Sequence, residues 1–337
     1  MARTMKAMVL GAQAPIESAP LQLKEVPIPE PRGGEVRVRV SVCAMCRTDL
    51  HVIEGDLPPI KSNIIPGHQI VGRVDANGPG CRRFEEGQRI GIAWLRSTDG
   101  TCVYCSRGRE NLCPNSRYTG YMEDGGYAEY AVAPEEYAYE LPEGLDDVAV
   151  SPLLCAGLIG YRALRRAQTP EGGKLLLVGF GSSAHVVIQL ALHRGNRLFV
   201  VSRAEKHLQL SRELGAEWAG FNVTDLPEKM DSAIIFAPAG ELVPPVLKAL
   251  DRGGILSLAG IHMSDVPALN YHDDLFYERE VRTVTANTRQ DGIELFNEAV
   301  AAGVRPHTET FPLEQANEAL LKLKQDGIQG SGVLTVC

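Results

Sequence analysis

The chain is predicted to be an α/β protein with a β-rich first domain and a doubly wound parallel-sheet second domain. Two observations support this prediction. The first part of the 337-residue sequence has short apolar runs separated by glycine and proline. Near residue 150 the pattern changes to continuous apolar runs that alternate with helical periodicity. We therefore expect a first domain at residues 1–150, completed by residues 290–337, and a second domain at residues 151–289.

The β-rich domain is predicted from three strand-like runs, Val36–Val40, Ile70–Val74 and Arg89–Ala93. The first run alternates apolar and charged residues, as a half-buried strand does. Glycine and proline between the runs mark turns. The last apolar run of the chain, Gly332–Val336, is expected to return to this domain.

The second domain is predicted from strands that alternate with helices. The strands are expected at Lys174–Val178, Arg197–Val201, Ser232–Ala237 and Gly254–Ala259, and the first two helices at Ala184–Arg194 and Glu205–Leu214. The first of these strands is apolar throughout, which is typical of a strand buried on both faces of a parallel sheet. The alternation indicates βαβ units.

The composition excludes several classes of function. Hydrophobic residues make up 44% and charged residues 23% of the chain, and the net charge is -8. Because the sequence has no basic run, it argues against nucleic acid and anionic membranes as partners. No apolar stretch approaches the roughly 20 residues of a membrane helix, and the N-terminus lacks the pattern of a signal peptide. We therefore expect a cytoplasmic protein whose eight cysteines are thiols or metal ligands.

A glycine-rich turn after the first strand of the second domain predicts a dinucleotide site. Small residues at Gly179-x-Gly181-x-x-Ala184 permit a tight turn and a close approach to a pyrophosphate at the start of a helix. The next strand ends in Ser202-Arg203, without the carboxylate that usually binds the ribose of NAD. NADP(H) is therefore favoured and NAD(H) is possible. The alternative for Arg203 is a solvated surface residue that does not select the cofactor, and the alternative for the turn is a purely structural role. The residues expected to bind the cofactor are Gly179, Gly181, Ser182, Ser183, Ala184, Ser202 and Arg203.

Three separated residues form a candidate catalytic metal site. Cys46, His68 and Cys155 supply two thiolates and an imidazole, which suit zinc, and three protein ligands leave a fourth position open. Each residue alone has a simpler interpretation, since a single cysteine in an apolar segment is usually a core residue. Cys43 and Cys46 also form a Cys-x-x-Cys pair, so a redox pair remains an alternative.

A second metal candidate is the loop that contains Asp99, Cys102, Cys105 and Cys113. Four ligands are typical of a closed, structural zinc site, and a carboxylate oxygen can ligate zinc. The alternative is a loop of three thiols that is partly free of metal.

These motifs resemble the zinc-dependent alcohol dehydrogenases of the medium-chain dehydrogenase/reductase superfamily over essentially the whole chain. The matching segments are Cys46-Arg47-Thr48-Asp49, Gly67-His68-Gln69, the cysteine loop ending at Cys113, Cys155-Ala156-Gly157 and the turn at 179–184. The resemblance implies a GroES-like catalytic domain interrupted by a Rossmann domain. It also implies reversible oxidation of an alcohol to an aldehyde or ketone. The expected assembly is a homodimer or homotetramer, paired through the sheet edge near residues 281–287.

The resemblance also implies roles for individual residues. Thr48 would accept the hydrogen bond of the alcohol hydroxyl, and His51 would pass its proton toward solvent through the nicotinamide ribose. Asp49 would orient the ligand His68, and Trp94 would shape the substrate pocket. Alternative interpretations are a helix cap for Thr48, a surface histidine for His51 and a core side chain for Trp94.

Three departures from the family pattern refine the expected function. Gln69 replaces a glutamate after the ligand histidine, which predicts a more electrophilic zinc or an altered rate of metal exchange. Asp99 replaces a cysteine, and Ser202-Arg203 replaces the acidic ribose ligand. We therefore expect an NADP(H)-dependent alcohol dehydrogenase that acts as an aldehyde reductase on a small molecule. The alternatives are a polyol or sugar dehydrogenase, a zinc-free quinone or enoyl reductase, and a non-enzymatic zinc or redox-sensing protein.

Overall fold

A computed structural model describes residues 3–260 and 263–336, and within them the chain forms two compact units. The first unit contains the described residues up to Cys155, together with Ala286–Asn297 and the described residues from Pro306 onward. The second unit contains Ala156–Thr285 and Glu298–Arg305, apart from the two residues outside the description. Which unit is catalytic and which unit binds the nucleotide stays a prediction.

The strands and helices are numbered here in chain order. The strands are β1 Thr4–Leu10, β2 Leu21–Pro27, β3 Glu35–Met45, β4 Gln69–Asn77, β5 Arg89–Ile92, β6 Leu95–Ser97, β7 Arg117–Tyr118, β8 Tyr130–Pro134, β9 Ala138–Glu140, β10 Lys174–Val178, β11 Arg197–Val201, β12 Trp218–Gly220, β13 Met230–Ile235, β14 Leu250–Leu258, β15 Glu280–Thr283, β16 Thr308–Pro312 and β17 Ser331–Thr335. The α-helices are α1 Arg47–Glu54, α2 Asp147–Val150, α3 Ala156–Ala167, α4 Ser182–His193, α5 Glu205–Glu213, α6 Val243–Ala249, α7 Arg289–Ala301 and α8 Ala316–Lys324.

The first unit is built on a mixed seven-stranded sheet with the order β16-β17-β3-β4-β5-β9, in which β8 also pairs with β3. The predicted alternation along β3 is confirmed, because Val36, Val38 and Val40 are fully buried while Arg39 is exposed. Strand β17 pairs antiparallel with β3, so the C-terminal apolar run does return to this unit. The second half of β3 is buried and leads directly into the candidate metal site.

The second unit is a parallel six-stranded sheet with the order β12-β11-β10-β13-β14-β15. This is the 3-2-1-4-5-6 order of doubly wound dinucleotide-binding sheets. Leu175, Leu176 and Leu177 of β10 have no exposed surface, as their position in the middle of the sheet requires. The predicted α/β fold with a doubly wound sheet is confirmed. The two edge strands, β12 and β15, are short, and neither contains an apolar run. Strand β12 was not predicted, whereas a sheet edge near residues 281–287, where β15 lies, was expected from the resemblance.

Within the described residues, no single helix is long and apolar enough to cross a membrane. One bent pair, Asp147–Leu154 with Ala156–Ala167, passes the same test by length and composition alone.

Candidate metal and nucleotide sites

The first candidate site is built at the N-terminus of helix α1. Cys46 is the N-cap residue of this helix, and its Sγ accepts a hydrogen bond of 3.4 Å from the backbone N–H of Thr48. The Asp49 carboxylate closes a capping box by accepting from the backbone N–H of Cys46 at 2.8 Å. A helix N-terminus favours negative charge, so this position suits a thiolate.

Asp49 has a second contact, with the predicted ligand His68. One carboxylate oxygen accepts from Cys46, and the other, Oδ1, lies 3.1 Å from His68 Nδ1. Both side chains are almost completely buried. In the neutral ring, a carboxylate on Nδ1 places the proton there and leaves Nε2 with its lone pair, which is the arrangement found around metal-bound histidines.

His68 is placed by a glycine that cannot be replaced without strain. Gly67 has a φ of +96°, and a Cβ atom at this position would lie 2.4 Å from the ring of Tyr127 and 2.9 Å from Cys43 Sγ. The chain therefore passes close to these side chains before β4 begins. Cys155 reaches the same place at the end of a short turn of 3₁₀-helix, Ser151–Leu154.

The structure brings the three predicted ligands together. Their donor atoms all lie within 4.8 Å of one another. Cys46 Sγ lies 3.4 Å from His68 Nε2 and 3.8 Å from Cys155 Sγ. Zinc–sulfur and zinc–nitrogen bonds of about 2.3 and 2.05 Å would give tetrahedral S···N and S···S edges of about 3.6 and 3.8 Å. The two distances therefore fit a tetrahedral zinc site with one position left for a further ligand.

The charges of the site also suit a cation. A hydrogen bond from the Cys155 thiol, together with the nearby His68 ring, holds the pKa of Cys46 well below its usual range, although burial opposes this shift. The same bond, together with burial, raises the pKa of Cys155 well above its usual range. Burial disfavours a charged His68, but Asp49 and the Cys46 thiolate outweigh it and raise the pKa of His68 to about 10. Without a metal, these side chains share protons with one another. A bound zinc ion would displace those protons.

An aromatic cluster borders the metal-binding candidates. The Trp94 ring meets the His68 ring edge-on at 5.0 Å between centroids. Trp94 also stacks with Tyr118 at 4.9 Å and Tyr121 at 6.0 Å. Trp94 was predicted for the substrate pocket, but the two tyrosines were not; Tyr118 ends β7 and Tyr121 lies in the turn after it. Their only sequence signal was an aromatic-rich segment just after the cysteine loop.

The other residues predicted for this site lie on the same elements. Thr48 is buried and His51 is half-buried, both on α1. His51 Nδ1 lies 2.7 Å from Asp56 Oδ2, a contact that the sequence analysis also missed. Gln69, the first residue of β4, is 1% exposed, and its Nε2 has no hydrogen-bond partner in the described part of the chain. A buried donor in this state adds to the cost of folding.

The second candidate cluster also comes together. Donor atoms of Asp99, Cys102, Cys105 and Cys113 lie within 4.8 Å of one another, and the Sγ atoms of Cys102 and Cys105 are 3.6 Å apart. Hydrogen bonds from the backbone N–H of Cys102 and the side chain of Asn115 hold the pKa of Asp99 well below its usual range. Asp99 is therefore an anion, and together with three deprotonated cysteines it would carry the same formal charge as four thiolates.

The glycine-rich turn lies in the second unit, at the end of β10 and the start of α4. Gly179 has a φ of +87°, and its N–H donates to the carbonyl of Val201 at 2.8 Å. Because β10 and β11 are parallel neighbours, this turn and Ser202-Arg203 both lie at the carboxyl ends of the strands. Ser202 is buried, with Oγ 3.2 Å from His207 Nδ1, whereas Arg203 is exposed. The helix after Gly181 begins at Ser182, two residues before the predicted start at Ala184, and ends at His193.

Comparisons with known proteins agree with this geometry. The family profile "Alcohol dehydrogenase GroES-like domain" matches residues 32–143. The "Probable alcohol dehydrogenase AdhA" of Mycobacterium tuberculosis is 47% identical over 99% of this chain and 98% of its own length. An alcohol dehydrogenase of Geobacillus stearothermophilus is 35% identical over 93% of this chain and 95% of its own length.

A solved structure shows the same fold. Acetophenone reductase from Geotrichum candidum, in complex with NAD, superimposes with a TM-score of 0.88 at 27% identity, over 99% of this chain and 98% of that one. A GroES-like unit, a parallel-sheet unit and full-length relatives thus lead to one conclusion. The chain is an oxidoreductase that belongs to the alcohol dehydrogenase family of the medium-chain dehydrogenase/reductase superfamily.

Proposed function

We propose that the chain is a zinc-dependent alcohol dehydrogenase that uses NADP(H) and acts as an aldehyde reductase. The reaction would be reversible between a primary or secondary alcohol and an aldehyde or ketone. The observation that carries this proposal is the tetrahedral spacing of Cys46 Sγ, His68 Nε2 and Cys155 Sγ, with a single position left open. The first unit would be the catalytic domain and the second unit the nucleotide-binding domain.

The chain's own residues would bind, orient and move protons. Bound zinc would act as a Lewis acid on the substrate oxygen, and the nicotinamide would exchange a hydride with the substrate carbon. Asp49 would fix the orientation of the His68 ring through its contact with Nδ1. The Thr48 hydroxyl would accept the proton of the alcohol hydroxyl, and His51 would carry it toward solvent.

Metal content decides between this proposal and a zinc-free reductase. Elemental analysis of protein purified without chelator should give two zinc ions per chain, one for each cluster. Cys46→Ser should lower the content to one and abolish reduction of aldehydes by NADPH. Folded and active protein without zinc would refute the proposal and favour the quinone or enoyl reductase alternative.

The preference for NADP(H) rests on the end of β11. Arg203 is exposed there, next to the buried Ser202, and neither residue repels a 2′-phosphate. A charge-assisted hydrogen bond contributes about 1.5–3 kcal/mol, so Arg203→Ala should reduce the preference for NADPH over NADH by about 10–150-fold. An unchanged ratio of the two kcat/KM values would show that NAD(H) and NADP(H) are bound without help from Arg203.

The aromatic cluster favours apolar substrates over polyols. Trp94 stacks with Tyr118 and Tyr121 and offers ring surface beside His68, whereas a polyol requires several polar partners. Oxidation of a panel of polyols and of aromatic and long-chain alcohols tests this preference. Higher kcat/KM for polyols than for aromatic or long-chain alcohols would support the polyol dehydrogenase alternative.

A homodimer, or a tetramer built from such dimers, is the assembly that we propose. Strand β15 is an edge of the parallel sheet, and Val281 is 37% exposed on it. An antiparallel pairing of two β15 strands centred on Val281 would place Glu280 opposite Arg282 of the second copy, and the reverse. Val281→Lys should therefore shift the protein toward monomer in analytical ultracentrifugation, and an unchanged mass would refute this interface.

A further inference from the structure

Two cysteines of the second candidate cluster lie on one turn at the surface. In this turn the backbone N–H of Ser106 donates to the carbonyl of Cys102 at 3.0 Å, and Cys105 follows Cys102 by three residues. Side chains three residues apart on a tight turn share one face, and the two Sγ atoms lie 3.6 Å apart. Both cysteines are half-buried, and Val103 and Tyr104 between them are 50% and 40% exposed. Small molecules in solution therefore reach this pair.

The third thiol of the cluster is less accessible. Cys113 is 5% exposed, and its Sγ accepts a hydrogen bond of 3.5 Å from the backbone N–H of Asp99. An oxidant from solution therefore meets Cys102 and Cys105 before it meets Cys113.

Asp99 holds the ends of this loop together without help from a metal. Its Oδ1 accepts from the backbone N–H groups of Thr101 and Cys102, each at 2.9 Å. Its Oδ2 accepts at 2.9 Å from Nδ2 of Asn115, which lies beyond Cys113 in the sequence. Sulfur is a weak acceptor, so a cysteine at this position would not supply the same contacts. The path of the loop is thus held by protein contacts that need no zinc.

The same contacts leave Asp99 few positions for a metal. An ionised carboxylate has about four acceptor positions, and these three N–H groups leave one of them for zinc. If Cys102 and Cys105 were bonded to each other, a zinc ion would keep only Cys113 and one oxygen of Asp99. Structural zinc sites have four protein ligands. Loss of this one pair of thiolates would therefore release the ion.

We propose that Cys102 and Cys105 form a site of reversible oxidation, at which hydrogen peroxide replaces the bound zinc ion by a disulfide. This inference rests on the proposed function, which expects one zinc ion at each cluster. A disulfide bond of about 2.05 Å requires the two sulfurs to approach by about 1.5 Å, which is the range of a side-chain movement on one turn. The zinc content of the loop then depends on the redox state of the solution.

The atoms and electrons of this step balance. One thiolate attacks a peroxide oxygen, the O–O bond breaks, and a sulfenic acid forms while hydroxide leaves. The second thiolate attacks the sulfenic sulfur, so that the S–S bond forms, the S–O bond breaks and a second hydroxide leaves. Each sulfur loses one electron, each peroxide oxygen gains one, and zinc leaves as Zn²⁺. A dithiol reverses the oxidation by thiol–disulfide exchange, and the reduced pair binds zinc again.

The first readout is the release of zinc. Cys46→Ser protein is expected to keep only the zinc of the second cluster, so the zinc that it releases comes from this loop. Hydrogen peroxide should release one zinc ion per chain, measured with a chromogenic chelator, and dithiothreitol with added zinc should restore the content. Protein that keeps its zinc in peroxide, or that does not recover it, would overturn the inference.

The second readout is mass spectrometry, which identifies the bond. Trypsin cuts after arginine and separates residues 97–107, which contain Cys102 and Cys105, from residues 110–117, which contain Cys113. The proposed disulfide stays within the first peptide and protects both of its cysteines from alkylation. A disulfide to Cys113 would join the two peptides, and that product would overturn the inference. Alkylation of both cysteines in the first peptide after zinc release would overturn it as well.

The matched control is Cys81→Ser, made in the Cys46→Ser protein. Cys81 is also half-buried in the first unit, but its Sγ lies 3.1 Å from the carbonyl oxygen of Glu35 and belongs to neither cluster. This variant should release zinc and form the disulfide as its parent does, and a block of either step would overturn the inference. Cys46→Ser protein that holds no zinc would refute the proposed second zinc site, whereas the peptide masses would still show whether the pair oxidises.

Discussion

Replacing Asp49 by asparagine tests how far one carboxylate supports the candidate metal site. Asp49 accepts from two donors in different directions, the backbone N–H of Cys46 at 2.8 Å and Nδ1 of His68 at 3.1 Å. Asparagine has one acceptor oxygen and one NH₂ group. Whichever way it turns, one of the two N–H groups faces another donor instead of an acceptor.

The size of the effect follows from burial. Asp49 is 2% exposed, so water cannot replace the lost contact. A buried donor without a partner costs about 1–3 kcal/mol. Changing the partner of a ligand histidine usually lowers metal affinity about 10–100-fold, or about 1.4–2.7 kcal/mol. We therefore expect Asp49→Asn to lose about 1–3 kcal/mol of unfolding free energy and about 10–100-fold in zinc affinity.

Chelator competition measures the zinc affinity. The part of the titration that is absent from Cys46→Ser protein belongs to the candidate site of Cys46, His68 and Cys155. Denaturant unfolding measures the stability. The matched control is Asp146→Asn, since Asp146 also caps a helix, accepting from the N–H of Ala149 at 2.7 Å, but contacts no candidate ligand. Asparagine caps helices as well as aspartate does, so this variant should keep both properties. If the zinc affinity of Asp49→Asn stays within about twofold of wild type, the reasoning is refuted, because a twofold change is far below the expected loss.

Substitutions at three further positions test other parts of the first unit. Asp99→Ala should remove one zinc per chain in elemental analysis, whereas Asp99→Cys should keep two; two zinc ions in both variants would exclude Asp99 as a ligand. Gln69→Glu adds a buried negative charge, so the pH–rate profile should move to higher pH or the rate of zinc release should change, and no change in either would contradict this expectation. Gly67→Ala should lower the unfolding free energy by about 2–4 kcal/mol, because of its positive φ and its contact with Tyr127. Gly80→Ala is the control in denaturant unfolding, since Gly80 has a φ of +84° but nothing within 4 Å of the added Cβ. If both variants lose the same unfolding free energy, the contact between residue 67 and Tyr127 is unimportant.

The sequence was sufficient for features in which residue type and position carry the signal. The strand β10 is apolar throughout, and a buried parallel strand has that composition. The candidate ligands Cys46, His68 and Cys155 could be grouped because thiolates and an imidazole are the donors that zinc prefers, whatever their separation along the chain. Their spacing in space agrees with this grouping.

The features that were missed depend on how loops approach one another. Asp56 reaches His51 only because Gly55 reverses the chain, and no periodicity records that turn. Tyr118 ends β7, which pairs with β6 directly after Trp94, and Tyr121 lies in the turn that follows, so their stacking on Trp94 depends on a strand pairing that the sequence pattern does not show. No residue of the edge strands β12 and β15 is fully buried, so the hydrophobic pattern from which a strand is predicted was absent. The sheet edge at β15 was expected from the family resemblance alone.

The position of Cys46 shows why stability and metal binding must be separated by the choice of substitution. Its sulfur is at once the N-cap acceptor of α1 and a candidate ligand. Alanine would remove both roles, and a loss of zinc could then result from an unravelled helix. Serine is among the best N-cap residues, so Cys46→Ser retains an acceptor for the N–H of Thr48 while it removes the thiolate. If this variant keeps the wild-type unfolding free energy of the metal-free protein but loses one zinc, the thiolate itself, and not the fold of the helix, holds the metal.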